Sequence, residues 1–198
     1  MKCIINVGGT GSGKSARTKE ILASLSGKPF FINDVNYEYK EYGRYAKQGL
    51  TPTEFKTQSQ KLKGHVIVYE EASMMFKHSN QDEETTRLLV QKRHTNNFLI
   101  FNFHSLRMVP LWIMDYCDYL ILHQTTDNPK NIETKFGDYE KVYEAFNDIH
   151  DTVNYVVENK DLFPVPTSMN FSNGVKFKRL IDKINIERFL FEKFVKLR

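Results

Sequence analysis

Short apolar runs alternate along this chain with segments of helical periodicity, beginning almost at the first residue. Cys3–Val7 reads as a buried strand, Ser15–Ser26 as a helix and Pro29–Ile32 as a second strand. The polar, tyrosine-rich stretch from Asn33 to Tyr45 follows neither period and reads as a loop. Thr51-Pro52 sets an N-cap hydroxyl before a proline at the first helical position, opening a helix that stops near Gly64. Val66–Tyr69 is a third strand. Gln81–His94 is helical, with acidic residues in its first turn where the helix dipole favours them. Phe98–Phe103 and Tyr119–Leu122 are further strands, with a short helix around Val109–Tyr116 between them and another helix over Gly137–Ile149. Continuous apolar strands separated by helices predict a parallel sheet covered on both faces. The expected fold is a doubly wound α/β domain with a mostly parallel sheet of about five or more strands.

This domain is expected to occupy residues 1–158. Asn159–Gly174, with two prolines and several Ser, Thr and Asn, resembles a linker or surface loop. Beyond it Phe177, Leu180, Ile181 and Ile184, then Ile186, Phe189, Leu190 and Phe194, recur at helical spacing. Residues 159–198 therefore read as a loop and a helical extension packed on the same domain. From Val175 to Arg198 eight basic residues stand against three acidic ones, so the net charge of +4 resides in this tail.

A chain of 198 residues with 40% apolar and 26% charged residues can bury one proper core. Fifteen Phe and ten Tyr argue against disorder over most of its length. Cys3 and Cys117 lie inside apolar runs without metal-ligand spacing and read as buried free thiols. Met1 leads straight into a strand, so no secretory leader is expected, and FLIFNF (Phe98–Phe103) is far too short to cross a bilayer.

Four glycines, a lysine and a serine follow the first strand. Gly8-Gly9-Thr10-Gly11-Ser12-Gly13-Lys14-Ser15 fits G-x-x-x-x-G-K-[ST], the phosphate-binding loop. Backbone N–H groups converge on a phosphate only where the chain turns with no side chain in the way, and glycine permits that. The helix that follows directs its positive end at the same anion. The pattern predicts a bound nucleoside triphosphate, with Lys14 reaching the β- and γ-phosphates and the Ser15 hydroxyl on Mg²⁺.

The third strand ends in Glu70-Glu71. At the carboxyl edge of a parallel sheet these carboxylates stand beside the bound phosphates. By position Glu70 takes the metal side and Glu71 polarises the attacking water. The next strand ends at His104, near the expected γ-phosphate, either as a phosphate sensor or as a hydrogen-bonded strand-end histidine. Arg93, late in the preceding helix, reads as a solvated arginine or as an arginine finger inserted into a neighbour's site.

Taken in order, GGTGSGKS, VIVYEEASMMF and KRHTNNFLIFNFHSLRMVPLWIMDYCDYLILHQTTD resemble the FtsK–HerA superfamily of DNA-translocating ATPases. The nearest branches are the genome-packaging ATPases of tailless, membrane-containing icosahedral viruses and the Zot-like assembly ATPases of filamentous phages. The resemblance covers Lys2 to about Thr126. His104 stands where that family has glutamine, with Val109-Pro110 following at a fitting distance, and Arg93-His94 is similar to its "RH". Glu70 departs from the family's usual aspartate.

The resemblance implies ATP and Mg²⁺ as cofactors, DNA bound without sequence preference, and a ring homo-oligomer, often of six subunits. In such a ring Arg93, with Arg107 second, would complete a neighbour's site. It also implies docking to a capsid vertex or membrane-associated viral proteins, in the virion or the host cytoplasm. Zot-like proteins carry a membrane span after the ATPase domain, which favours the packaging branch here. The basic tail is consistent with a core-packing helix, with DNA phosphates in a ring channel, or with an acidic capsid or membrane surface. Two other readings stay open. A nucleoside or nucleotide kinase would usually carry an arginine-rich lid, yet only Arg107 lies between Thr95 and Ser168. A non-hydrolysing, nucleotide-dependent assembly factor would lack steady turnover.

Overall fold

The computed structural model describes residues 2–25, 27–76, 83–158 and 192–197. Among the described residues seven strands form one sheet: β1 (Cys3–Val7), β2 (Phe30–Asn33), β3 (Ala46–Lys47), β4 (Val66–Tyr69), β5 (Phe98–Phe103), β6 (Tyr119–His123) and β7 (Glu192–Lys196). Their order is β3-β2-β4-β5-β1-β6-β7. All neighbours are parallel except β6 and β7. β1 is flanked by β5 and β6, so the loop after it emerges mid-sheet at the carboxyl edge.

The helices are α1 (Lys14–Ser24), α2 (Pro52–Ser59), α3 (Ala72–Met75), α4 (Glu83–Thr95), α5 (Leu111–Met114), α6 (Pro129–Phe136) and α7 (Glu140–Glu158). Strand alternation sorts the core into two layers. Ile32, Val66, Val68 and Ile100 pack against Leu22 of α1 and against Tyr39. Cys3, Ile5, Val7, Ile67, Leu99 and Phe101 face the larger cluster, which Phe55 of α2, Leu88 of α4, Ile113 of α5, Phe136 of α6 and Phe146 of α7 complete. Both faces are covered, as the uninterrupted apolar strands required.

α2 starts as its sequence specified. Thr51 Oγ1 accepts from the Glu54 N–H at 3.2 Å, and Glu54 Oε2 accepts from the Thr51 N–H at 2.8 Å. Beneath the acidic strand end lies a chain of aromatic contacts. Phe31 stacks on Phe55 at 4.6 Å, Phe55 meets Tyr69 edge-on at 5.2 Å, and Tyr69 stacks on Phe101 at 4.8 Å. Full burial of such rings contributes on the order of 2–3 kcal/mol each and fixes β2, β4 and β5 in register just before Glu70.

Several boundaries differ from the sequence reading. Asn33 belongs to β2, and the expected loop contains a 3-10 segment, Lys40–Tyr45, that leads into the short edge strand β3. α6 has no counterpart among the elements expected from the sequence; the Asn128 side chain caps it by accepting from the Lys130 N–H at 3.0 Å, with Pro129 at its first position. The helix expected over Gly137–Ile149 begins at Glu140 and runs to Glu158.

Glu192–Lys196 corrects the expected helical tail. It is a strand, because the open edge of β6 offers a full ladder (Leu120 opposite Val195, Leu122 opposite Lys193) that the helical spacing of Phe189, Leu190 and Phe194 could not reveal. The remainder of the expected tail, with its loop, lies outside the described residues. Cys3 and Cys117 are buried free thiols. No described helix is long and apolar enough to cross a membrane.

Candidate functional site

The loop after β1 is pinned at its base. The Gly8 N–H donates to Phe103 O at 3.0 Å and the Gly9 N–H to Gln124 O at 2.9 Å, tying the loop to the ends of β5 and β6. Two positions admit only glycine for different reasons. A Cβ on Gly8 would lie 2.8 Å from the His123 Cβ and 2.3 Å from Ser12 Oγ. Gly13, at φ 102°, occupies the left-handed region and turns the chain into α1. The first intrahelical bond runs from the Arg17 N–H to Gly13 O at 2.9 Å. The N–H groups of Lys14, Ser15 and Ala16 therefore lack intrahelical acceptors, as at any helix start.

Lys14 Nζ donates to Gly8 O at 2.6 Å and Gly9 O at 3.1 Å. Burial lowers its pKa, against the pull of Glu70 and Glu71. α1 is held against the sheet by polar bonds as well as by Leu22. Asn6 Nδ2 donates to Lys14 O at 3.1 Å and to Thr18 Oγ1 at 3.2 Å, and Asn102 Nδ2 donates to Thr18 Oγ1 at 3.1 Å.

Glu70 is 3% exposed. Its Oε2 accepts from the Tyr39 hydroxyl at 3.0 Å and from Asn102 Nδ2, while Oε1 faces Ser15 Oγ at 3.4 Å. Burial pushes the Glu70 carboxyl up, and the bonds from Asn102 and Tyr39 and the charge of Lys14 pull it back. Glu71 sits in the left-handed region (φ 56°, ψ 42°) at the start of α3, a conformation costing about 1–2 kcal/mol for a residue with a Cβ. Asn36 Nδ2 donates to its Oε1 at 2.8 Å, and His104 Nε2 bonds its Oε2. The His104 bond, above all, holds the Glu71 carboxyl below the usual carboxylate range.

These groups surround one cavity of about 160 Å³, lined by Thr10, Gly11, Gly13, Lys14, Ser15, Ala16, Asn36, Glu38, Glu70, Glu71 and His104. Loop, helix start, acidic pair and strand-end histidine, all singled out in the sequence, thus meet in space.

The two arginines are placed differently. α4 ends at Thr95, whose carbonyl accepts from the Gly64 N–H at 2.8 Å next to the start of β4. Arg93 therefore lies toward the amino edge of the sheet, away from its own chain's loop. Arg107 follows β5 at the carboxyl edge, its side chain 61% exposed and its Nε 3.8 Å from Asp127 Oδ1. The segment carrying it is braced by Asp127 Oδ2, which accepts from the Leu106 N–H at 2.7 Å. Lys135 Nζ braces the same segment, donating to Arg107 O at 2.5 Å and Val109 O at 2.7 Å.

The sequence reading missed Asn36, Glu38, Tyr39 and Asn102. Asn102 left a trace, since an amide inside the apolar run FLIFNF needs a buried partner. Asp34 is fully buried, and nothing in the sequence signals it. Its Oδ1 accepts from the Glu38 N–H at 2.8 Å and the Tyr39 N–H at 3.3 Å, folding the loop so that Asn36 and Tyr39 reach the acids.

The chain is similar in structure to the genome packaging NTPase B204 of Sulfolobus turreted icosahedral virus 2 in complex with AMPPCP. The TM-score is 0.59 at 19% identity, over 70% of this chain and 84% of that one. The AMP complex of the same protein matches at a TM-score of 0.54 and 20% identity, over 67% and 81% of the two chains. B204 of Sulfolobus turreted icosahedral virus, described as a DNA-packaging ATPase, matches at 0.57 and 17% identity, over 74% and 85%. No protein-family model and no curated protein matches the chain. The fold is that of a P-loop NTPase.

Proposed function

We propose that this protein is an ATP-hydrolysing motor that moves DNA into a viral capsid as a ring of identical subunits. One observation carries the hydrolytic reading: a phosphate-type loop and two carboxylates held in different environments border the same cavity. Glu70 is buried and bonded toward Ser15, whereas Glu71 is kept ionised by Asn36 and His104. A simple binding site needs no such division of two adjacent acids. The likeness to packaging NTPases supports the choice of DNA and capsid.

The triphosphate enters with its β- and γ-phosphates over the start of α1, where Lys14 leaves the loop carbonyls for phosphate oxygens. Ser15 Oγ and Glu70 Oε1 present two hard oxygens to one small volume, while Glu70 Oε2 is already engaged by Tyr39 and Asn102. This donor set fits Mg²⁺, which takes one or two protein oxygens and completes its shell with phosphates and water. The described residues hold no cluster of three or more acidic, histidine or cysteine ligands, so an all-protein cage is not what they offer. When bound, the ion would neutralise charge on the transferring phosphoryl group. Glu71 and His104 form the proton-accepting side of the cavity, facing the water that attacks the γ-phosphorus.

Arg93 or Arg107 of a neighbouring subunit would supply transition-state charge. The DNA contacts would be to phosphates, and the capsid vertex, within the virion or the host cytoplasm, is the proposed place of work. The test is phosphate release by size-fractionated protein with and without DNA, against Lys14→Ala. Release that DNA stimulates and Lys14→Ala abolishes is the expected result. Transfer of the phosphoryl group to nucleosides, with no release to water, would replace the motor by a kinase.

A further inference from the structure

The hydrogen-bonding pattern around Glu71 points beyond that assignment. Both of its oxygens are engaged, Oε1 by Asn36 Nδ2 and Oε2 by His104 Nε2. An ionised carboxylate has no proton to give, so the proton in the second bond belongs to His104 Nε2. In the neutral imidazole Nδ1 is then the acceptor, and no described group is bonded to it. The His104 side chain is 35% exposed and borders the cavity, facing Glu71 and Glu70 from the end of β4, Lys14 from α1 and Glu38 from the loop after β2. With each oxygen already accepting a bond, the Glu71 carboxylate is less free to take a proton from water.

We propose that His104 is the catalytic base of this protein and that Glu71 acts through it, in the manner of the carboxylate that orients and steadies an imidazole in a hydrolytic triad. The inference rests on the hydrolytic reading above. In the step, water gives one proton to His104 Nδ1 as its oxygen bonds the γ-phosphorus. The bond from that phosphorus to the β–γ bridging oxygen breaks, and ADP leaves with the electron pair. The imidazolium formed lies against the Glu71 carboxylate, and its Nδ1 proton passes afterwards to solvent.

His104→Gln separates the two roles, because glutamine retains an N–H donor for Glu71 and loses the proton acceptor. The expected result is a fall in kcat of about 100-fold or more, with KM and the affinity for a fluorescent ADP analogue unchanged. In His104→Ala, added imidazole should restore part of the lost turnover, more at pH 8 than at pH 6 because the neutral form is the acceptor. Wild-type kcat in His104→Gln overturns the proposal and returns the base role to Glu71. A loss in both variants that imidazole does not relieve also overturns it, leaving His104 a structural donor. Absence of hydrolysis in the wild type removes the hydrolytic reading itself, and this inference with it.

Discussion

The Tyr39 hydroxyl, fully buried, donates to Glu70 Oε2 at 3.0 Å across 31 residues of sequence. It leaves Oε1 as the oxygen turned toward Ser15. A hydrogen bond to a charged group contributes about 1.5–3 kcal/mol. Tyr39→Phe should therefore raise the Mg²⁺ concentration for half-maximal turnover by roughly tenfold, with metal-free nucleotide affinity unchanged. An unaltered Mg²⁺ midpoint would separate Tyr39 from the ion.

Glu71→Gln keeps the shape of the cavity and removes the charge that steadies its neighbour. Nucleotide affinity should stay within about twofold, while turnover falls by about 100-fold or more. Equilibrium binding and single-turnover hydrolysis measure the two parts separately. Full activity in this variant would take Glu71 out of the mechanism.

Gly8→Ala places a methyl group 2.8 Å from the His123 Cβ, which has no rotamer by which to withdraw. Thermal unfolding and nucleotide titration should both register it, with nucleotide affinity lost at least tenfold, since overpacking of this kind costs about 1–3 kcal/mol. Gly27→Ala is the control, because nothing lies within 4 Å of a Cβ there. Equal behaviour of the two variants would mean that the loop yields where the packing says it does not.

A neighbour's arginine is testable by mixing. Lys14→Ala and Arg93→Ala, each inactive alone, should regain turnover when combined if Arg93 completes the adjacent subunit's site. The same experiment with Arg107→Ala ranks the two arginines. Absence of rescue at every mixing ratio would rule out the arginine in question.

Lys135 is the pH-sensitive part of the brace behind His104. Burial lowers its pKa from 10.5 to about 8, against the pull of Asp127. Between those values the unfolded chain binds the proton that the folded chain has released, so this group adds stability as pH rises through the window. The gain is lost again as pH falls through 8. Denaturation midpoints compared at pH 8 and pH 10 should show a larger upward change in the wild type than in Lys135→Met. Equal changes would assign the pH dependence elsewhere.

The strands and the glycine-rich turn after β1 were legible because their determinants are local: unbroken apolar runs, and glycines at a turn that leads into the helix at Lys14. Glu70 and Glu71 could be read for the same reason, since strand direction puts them at the loop's edge. Asn36 and Tyr39 could not. Their approach to the acids depends on how Asp34 folds a loop whose sequence has no period, and such a path is set by tertiary contacts. α6 was missed although Asn128-Pro129 signals a helix start. The strand at Glu192–Lys196 was misread because pairing across an exposed sheet edge overrides the apolar spacing of an isolated segment.

That last strand is tied through side chains to the loop after β1. Glu192 sits 3.2 Å from Arg17 of α1 and 3.4 Å from His123, whose other ring nitrogen lies 2.8 Å from the Asn6 oxygen, and Asn6 in turn binds the backbone of Lys14. Loop and chain terminus thus share a single polar relay. If a ligand in the loop after β1 shifts Asn6 and Lys14, the coupling must run both ways: that ligand would tighten the hold on β7, and loss of Glu192 would weaken its binding.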